Sequence, residues 1–319
     1  MSVQPLFRTP VEIPAPPRQI GVGDKSVFLG SCFAEHVGAC FTDARFRSLV
    51  NPLGVQYNPL SVVRLLTTPQ SDARRHFISH GDFWHTWLGD SSLSRPTLDE
   101  CRQATDAALA TLHGALAEAD HLFLTLGTSR YYIYSPTSET VANCHRLPSQ
   151  NFVETDLCVD EIIHSLESAL FSLRRRNPRV QVVFTVSPFR YQKYGFHESQ
   201  LSKSRLLLAV DELQRRHADW VAYFPAYEIV MDELRDYRFY ADDMLHPSES
   251  AVRYIWQRLC EIWMAPDAQA YLRRWEPLRR ALLHRPLHPE SPACRQFQAD
   301  TCRQLAQLKA DYPALNFEL

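Results

Sequence analysis

A chain of 319 residues, 45% apolar and 22% charged, can bury a large core, and its length suits one α/β domain with an appendage. The formal charge of −2 supplies no broad field of either sign, which argues against a nucleic-acid or membrane-surface partner. No window approaches the length of a transmembrane helix. The opening stretch MSVQPLFRTPVEIPAPPRQI lacks a basic start followed by an apolar run, so the expected compartment is the cytoplasm.

Residues 1–24 are proline-rich and are expected to lie extended over the body of the fold. The apolar run Lys25 to Leu29 ends at Gly30, as a buried strand followed by a tight turn does, and Cys32 to Ala44 reads as a helix. Asn51 to Pro59 is a loop, Leu60 to Leu66 the next helix, and residues 76–98 a small β excursion. An alanine- and leucine-rich helix within Leu98 to Ala119 leads into a second buried strand, His121 to Leu126, which ends at Gly127. The amphipathic helix Val159 to Arg176 and a third strand, Val180 to Val186, follow. Then come a helix over Gln200 to His217, a fourth strand over Trp220 to Phe224, and helices over Tyr227 to Arg235 and Ser248 to Met264.

Short apolar runs alternating with longer amphipathic helices are the pattern of parallel strands with crossover helices. The expected fold is a three-layer α/β/α domain of flavodoxin-like type over residues 25–265. Its parallel sheet has about five strands, the fifth not visible in the sequence. Residues 266–319 have no strand of their own and read as a helical appendage packed on that domain. Such a sheet places its site beyond the C-terminal ends of the strands.

Two stretches carry chemistry. In GSCFA, Gly30 to Ala34, a serine stands just past a strand at the start of a helix. The glycine permits a sharp turn, and the helix N-terminus offers free amides and partial positive charge to an oxyanion. The ordinary explanation is that Ser31 caps the helix. In DMLHP, Asp243 to Pro247, a carboxylate three residues before a histidine can fix the imidazole tautomer and stabilise its charged form. The ordinary explanation there is a surface loop. Their order, serine after the first strand and D-x-x-H before the last long helix, favours catalysis over both. No G-x-S-x-G elbow occurs, which argues against an α/β-hydrolase.

Beyond GSCFA itself, the stretches NPLGVQYNPLS, LTLGTS, ANCHRLP, TVSPFR, LSKS, FPAYEIVMDELRDYRFYADDMLHPSE and HRPLHPES occur in order. From about Phe7 to the C-terminus the chain resembles the GSCFA-domain family, a branch of the SGNH/GDSL hydrolase superfamily. The superfamily relationship rests on fewer residues, mainly Ser31, Asp243 and His246. The resemblance implies a serine esterase that needs no cofactor or metal. Ser31 attacks an ester carbonyl, His246 takes and returns the proton, and Asp243 orients His246. It also implies an oxyanion site of the serine amide, a glycine amide and an asparagine side chain. Gly54 in NPLG is the candidate glycine, with a simple turn as the alternative.

The usual G-x-N-D is replaced by Gly127-Thr128-Ser129-Arg130. Either the Ser129 hydroxyl takes the asparagine's place or Asn143 in ANCH swings in, although a turn role for Asn143 is favoured. The expected substrate is a small-molecule or carbohydrate ester, with a short acyl group suggested by the superfamily's habits. Two rivals stay open. One is an O-acyltransferase using the same three residues, and the other is a non-catalytic binding protein on a decayed hydrolase scaffold, which the missing G-x-N-D favours.

Other residues weigh toward structure. Cys32 reads as a small buried residue at a helix start rather than a thiol nucleophile. With no CxxC pair among the eight cysteines, which are expected to be reduced, Cys144-His145 is weak evidence for a metal. His145 reads as a surface histidine. His197 and Lys203 read as a solvated helix face, and Arg174 to Arg176 as a helix C-terminus. Trp84 and Trp87 read as core rather than a sugar platform.

Overall fold

Strict alternation along the predicted strands sends successive side chains to opposite faces. The computed structural model, which describes residues 8–69, 77–315 and 317, sorts them accordingly. In chain order the body runs β1 (Lys25–Gly30), α1 (Cys32–Asp43), β2 (Arg47–Val50), α2 (Pro59–Thr67), β3 (Phe77–His80), β4 (Phe83–Thr86) and α3 (Leu98–Glu118). It continues with β5 (His121–Leu126), β6 (Arg130–Tyr134), β7 (Glu139–Val141), β8 (Phe152–Asp156), α4 (Val159–Arg176) and β9 (Gln181–Val186). Then follow α5 (Phe196–Arg216), β10 (Val221–Tyr223), α6 (Ala226–Glu228), α7 (Glu249–Trp263), α8 (Pro266–Leu283) and α9 (Pro292–Asp311). The short α6 passes directly into a π turn over Ile229–Glu233.

The central sheet has five strands in the order β10-β9-β5-β1-β2, every pair parallel. Counted within the sheet this is the flavodoxin-like order, in which direction reverses between β1 and β5; ligands bind at the carboxyl ends there. The fifth strand, hidden in the sequence, is β2, a half-exposed edge strand of four residues, RSLV. The expected β excursion is the hairpin β3–β4, described from residue 77. An antiparallel sheet, β7-β6-β8, was not expected at all. Its strands are short and half-buried, so no continuous apolar run announces them.

One sheet face, with Val27, Leu29, Leu122, Leu124, Val182 and Phe184, packs under α2, α3, α4 and α5. The other, with Phe28, Phe123 and Val183, packs under α1, α7 and α8. Phe28 and Phe123 are register partners with rings stacked at 4.6 Å. Each such fully buried side chain stabilises the fold by roughly 1.5–3 kcal/mol relative to exposure.

The C-terminal helices are tied to this second core. Tyr271 and Trp275 of α8 donate from their ring groups to the carbonyls of Ala44 and Asp43, at 2.9 and 3.0 Å, just past and at the end of α1. Of the N-terminal segment, residues 8–24 form neither helix nor strand and end in a turn closed by the Asp24 amide on Gly21 O at 3.2 Å. They are pinned by Ile20, which bridges Met264, and by the Trp263 indole donating to Pro14 O at 2.9 Å. Residues 1–7 lie outside the described residues. No described helix is long and apolar enough to cross a membrane.

Candidate active site

The turn after β1 is built around Gly30. Its φ of +138° is open to glycine, and a β-carbon there would stand 2.1 Å from Thr125 O. Asn51 clamps this turn from beyond β2. Its side-chain oxygen accepts from the Gly30 amide at 3.0 Å, and its amide nitrogen donates to Gly30 O at 3.2 Å. The chain therefore delivers Ser31 to the N-cap position of α1, at the carboxyl end of β1 beside the reversal of strand order. There its hydroxyl does not cap the helix. Ser31 is 1% exposed, and its Oγ finds no hydrogen-bond partner among the described residues. Capping, the ordinary explanation of this serine, is thus not what the side chain does. A buried hydroxyl without a partner costs about 1–3 kcal/mol.

The loop before α7 folds on Asp243. One carboxylate oxygen accepts from the amides of Leu245 and His246 at 2.9 and 3.0 Å; the other meets His246 Nδ1 at 2.5 Å. The amide and side chain of His246, with the Leu245 amide, hold the Asp243 carboxyl down at about 2. It is therefore ionised throughout the neutral range. With Nδ1 committed to the carboxylate, Nε2 is the nitrogen free to accept a proton. The loop is anchored by Arg190, whose backbone and guanidinium donate to the carbonyls of Leu245 and Met244, each at 3.2 Å.

Phe189 and Arg190 follow β9, and the Phe189 ring lies 4.2 Å from the imidazole. The pair thus stands at the same carboxyl rim of the sheet as Ser31. His246 and His36, one turn beyond Ser31's end of α1, open onto a shared cleft of about 1060 Å³ whose far walls are α7 and α8. No hydrogen bond joins Ser31 and His246: the hydroxyl has no partner, and the imidazole is 39% exposed.

The other expected site residues are engaged elsewhere. The Gly54 amide donates to Asn51 O at 2.8 Å, and its α-carbon is packed against the Asp90 carboxylate. The Ser129 hydroxyl donates to Asp156 and meets Ser202, at 2.8 and 3.1 Å. The neighbouring Arg130 bridges Glu154, Asp156 and Glu198, so this strand end staples β6 to β8 and α5. Asn143 closes a turn, its side-chain oxygen accepting from the His145 amide at 2.8 Å.

Sequence profiles decide the family. The profile of the GSCFA family matches residues 25–259, and that of the GSCFA domain protein C-terminal domain matches residues 275–319. The chain belongs to the GSCFA family. Among solved structures this GSCFA chain is similar to an acetyl xylan esterase (Est2A) from the rumen bacterium Butyrivibrio proteoclasticus. The two share 12% identity with a TM-score of 0.34, over 83% of this chain and 66% of the esterase, just under two thirds of its length. A search of curated proteins finds no match.

Two expectations for this GSCFA chain need correcting. Lys203 is not on a solvated face. It is 2% exposed, and its Nζ donates to the carbonyls of Gly127 and Ser187, both at 2.6 Å, just past the ends of β5 and β9. His145 is not a surface residue either: it stacks on His85 at 4.6 Å, and burial pushes it down to about 4. Cys144 gathers no ligand set with it; among the described residues no group of three or more His, Cys, Asp or Glu could hold a metal ion. Cys32 has its thiol pushed up, chiefly by burial, which disfavours a thiolate. As expected, Trp87 is core and His197 is exposed.

Sequence reasoning missed Lys203, Tyr191 and Asn51 as site elements. For Tyr191 and Asn51 the only signal was their place after β9 and β2; Lys203, in LSKS within α5, is in view but reads as solvated.

Burial lowers the Lys203 ammonium from 10.5 to about 7. Between those values the unfolded chain holds a proton that the folded chain has released, so this residue makes stability rise with pH. Lys203→Met removes that rise. The melting temperature of wild type minus variant is expected to increase from pH 7 to pH 10. A difference that stays flat across this window, read by thermal melts, would mean that Lys203 is not buried as a titrating base.

Proposed function

We propose that this GSCFA protein is a serine esterase that hydrolyses an oxygen ester through an acyl-Ser31 intermediate. The observation that carries the reading is the Ser31 hydroxyl itself. It is a buried group with no hydrogen-bond partner among the described residues, held at the uncapped end of a helix where the sheet order reverses. A cost of that kind is expected where a side chain is kept for chemistry rather than for stability.

In this reading His246 Nε2 takes the Ser31 proton as Oγ bonds to the ester carbonyl carbon. The imidazolium returns that proton to the departing alkoxide, leaving acyl-Ser31. Water then repeats the sequence, with His246 as base, and releases the acid. Asp243 keeps Nδ1 protonated and the ring oriented. Ser31 is buried, so this reading requires the side chains at the strand ends to part on binding and bring Oγ onto Nε2. The half-buried aromatic rings nearby, Phe189, Tyr194 and Tyr132, suit a sugar ring, so a short acyl ester of a carbohydrate is the proposed substrate class.

The non-catalytic reading is favoured by the missing G-x-N-D, by the burial of Ser31 and by the absence of a bond between Ser31 and His246. Incubation of the folded protein with a fluorophosphonate probe separates the two. Covalent labelling at Ser31, found by peptide mass mapping, is the expected result. Folded protein that stays unlabelled, and inert toward p-nitrophenyl acetate, would leave only a binding scaffold. The acyltransferase alternative is tested by adding sugar to the acetyl-donor reaction and looking for acetylated sugar instead of acetate.

A further inference from the structure

The Ser31 amide implied for the oxyanion is already engaged, and so are the amides past the end of β5. The Ser31 amide donates to Thr125 O at 3.0 Å, and the amides of Gly127 and Thr128 both donate to Tyr57 O, at 2.8 and 2.9 Å. Gly54, Ser129 and Asn143 are committed as described above. One hydroxyl beside Ser31 is not. Tyr191 Oη is buried and finds no partner among the described residues. It lies 3.1 Å from the point where a β-carbon on Gly127 would stand, and Ser31 Cβ lies 3.4 Å from the same point. Tyr57 O lies 3.0 Å from that point as well, so it is the bare α-carbon of Gly127 that lets the Ser31 side chain and the Tyr191 hydroxyl close on one spot.

We propose that Tyr191 is a catalytic residue whose hydroxyl donates a hydrogen bond to the oxyanion formed when Ser31 attacks the ester carbonyl. The proposal deepens the acyl-Ser31 reading and rests on it. Tyr191 takes the place left by the absent asparagine side chain, with a donor from the β9–α5 loop rather than from the end of β5.

The ring is held firmly enough for that work. Its backbone amide donates to Ser199 Oγ at 3.3 Å. Phe189 meets it edge-on at 4.7 Å, and Tyr194 stacks on it at 5.8 Å. Lys203 Nζ sits 5.4 Å from its centroid while donating to Gly127 O, so one buried side chain steadies both the Tyr191 ring and the Gly127 backbone. Burial raises the phenol well above its ordinary value, so it enters the reaction protonated.

On attack, the Ser31 Oγ–carbon bond forms and the carbonyl π pair moves onto oxygen, which accepts the Tyr191 O–H. The phenol keeps its proton. On collapse the pair returns, the bond to the alcohol oxygen breaks, and the alcohol leaves with the proton carried by His246. A donor fixed in advance and unpaired in the ground state pays nothing to reorient, which is what makes such a group effective.

The test compares the full chain with Tyr191→Phe on p-nitrophenyl acetate, alongside thermal melts and the rate of fluorophosphonate labelling. The expected result is a fall in kcat of about 10²–10³-fold with KM little changed, as for loss of one oxyanion donor. Labelling slows in parallel, and the melting temperature is equal or higher because a buried unpaired hydroxyl has gone. A purely structural Tyr191 would move stability and activity downward together, which would overturn the proposal. So would unchanged kcat in Tyr191→Phe while wild type labels and turns over; acyl-Ser31 chemistry would then stand with its donor elsewhere. Wild type that neither labels nor turns over would remove the parent reading as well.

Gly127→Ala supplies a second arm that keeps Tyr191. Its methyl takes the spot on which Ser31 and Tyr191 close, so its kcat falls too, and the double variant is expected to lose no more than the worse single variant. Losses that multiply would count against a shared site.

Discussion

Ser31→Ala is expected to abolish ester hydrolysis and fluorophosphonate labelling while the melting temperature stays level or rises. The two halves of this result have one cause. The Ser31 hydroxyl is buried, makes no hydrogen bond among the described residues and does not cap α1, so its removal breaks no contact in the described fold. Relieving an unpaired buried hydroxyl is favourable by about 1–3 kcal/mol, offset in part by the small void left behind. The activity falls by about 10⁴–10⁶-fold, because loss of the nucleophile removes the covalent route and leaves only binding and polarisation. Melts and p-nitrophenyl acetate assays on the same preparations check both halves. A variant that is clearly destabilised yet still turns over substrate would make Ser31 a structural residue and end the esterase assignment.

The second large effect is expected at the Asp243–His246 pair. His246→Ala removes the base, with a loss of about the same size as for Ser31. Asp243→Asn is more informative. The Asp243 oxygen that receives the amides of Leu245 and His246 persists in asparagine, so the turn survives. The oxygen facing Nδ1 becomes a donor nitrogen, which drives the imidazole toward the tautomer protonated at Nε2. A fall in kcat of about 10⁴-fold follows from the wrong tautomer alone. The native carboxyl, held at about 2 chiefly by the His246 amide, stays charged as the medium is acidified through the neutral range. Any loss of rate there is therefore not expected to come from Asp243. Full activity in Asp243→Asn would show that the pair is a loop staple rather than a catalytic relay.

Much of the frame was legible in the residues. KSVFL, HLFLTL, VQVVFTV and WVAYF lie in or overlap the three inner strands β1, β5 and β9 and the edge strand β10, because a strand covered on both faces reads as a continuous apolar run. GSC marked the turn, since a close approach to Thr125 excludes any side chain at Gly30. D-x-x-H marked the Asp243–His246 pair, since a local turn alone brings Asp243 onto His246. The edge strand β2 and the sheet β7-β6-β8 were illegible. Their half-exposed strands alternate weakly and gain their stability from partners distant in sequence.

The sequence by itself determined which segments are buried and where a serine and a histidine stand relative to strand ends, because periodicity and turn chemistry are local. Only the tertiary structure decided which polar groups are satisfied. Ser129 is spent on Asp156, and Lys203, in a polar run that reads as solvated, is drawn into the core by two carbonyls. Tyr191 is left with a hydroxyl that nothing among the described residues answers. A hydrogen-bond partner is a matter of a few tenths of an ångström between residues tens of positions apart. No spacing within one stretch of chain encodes that distance.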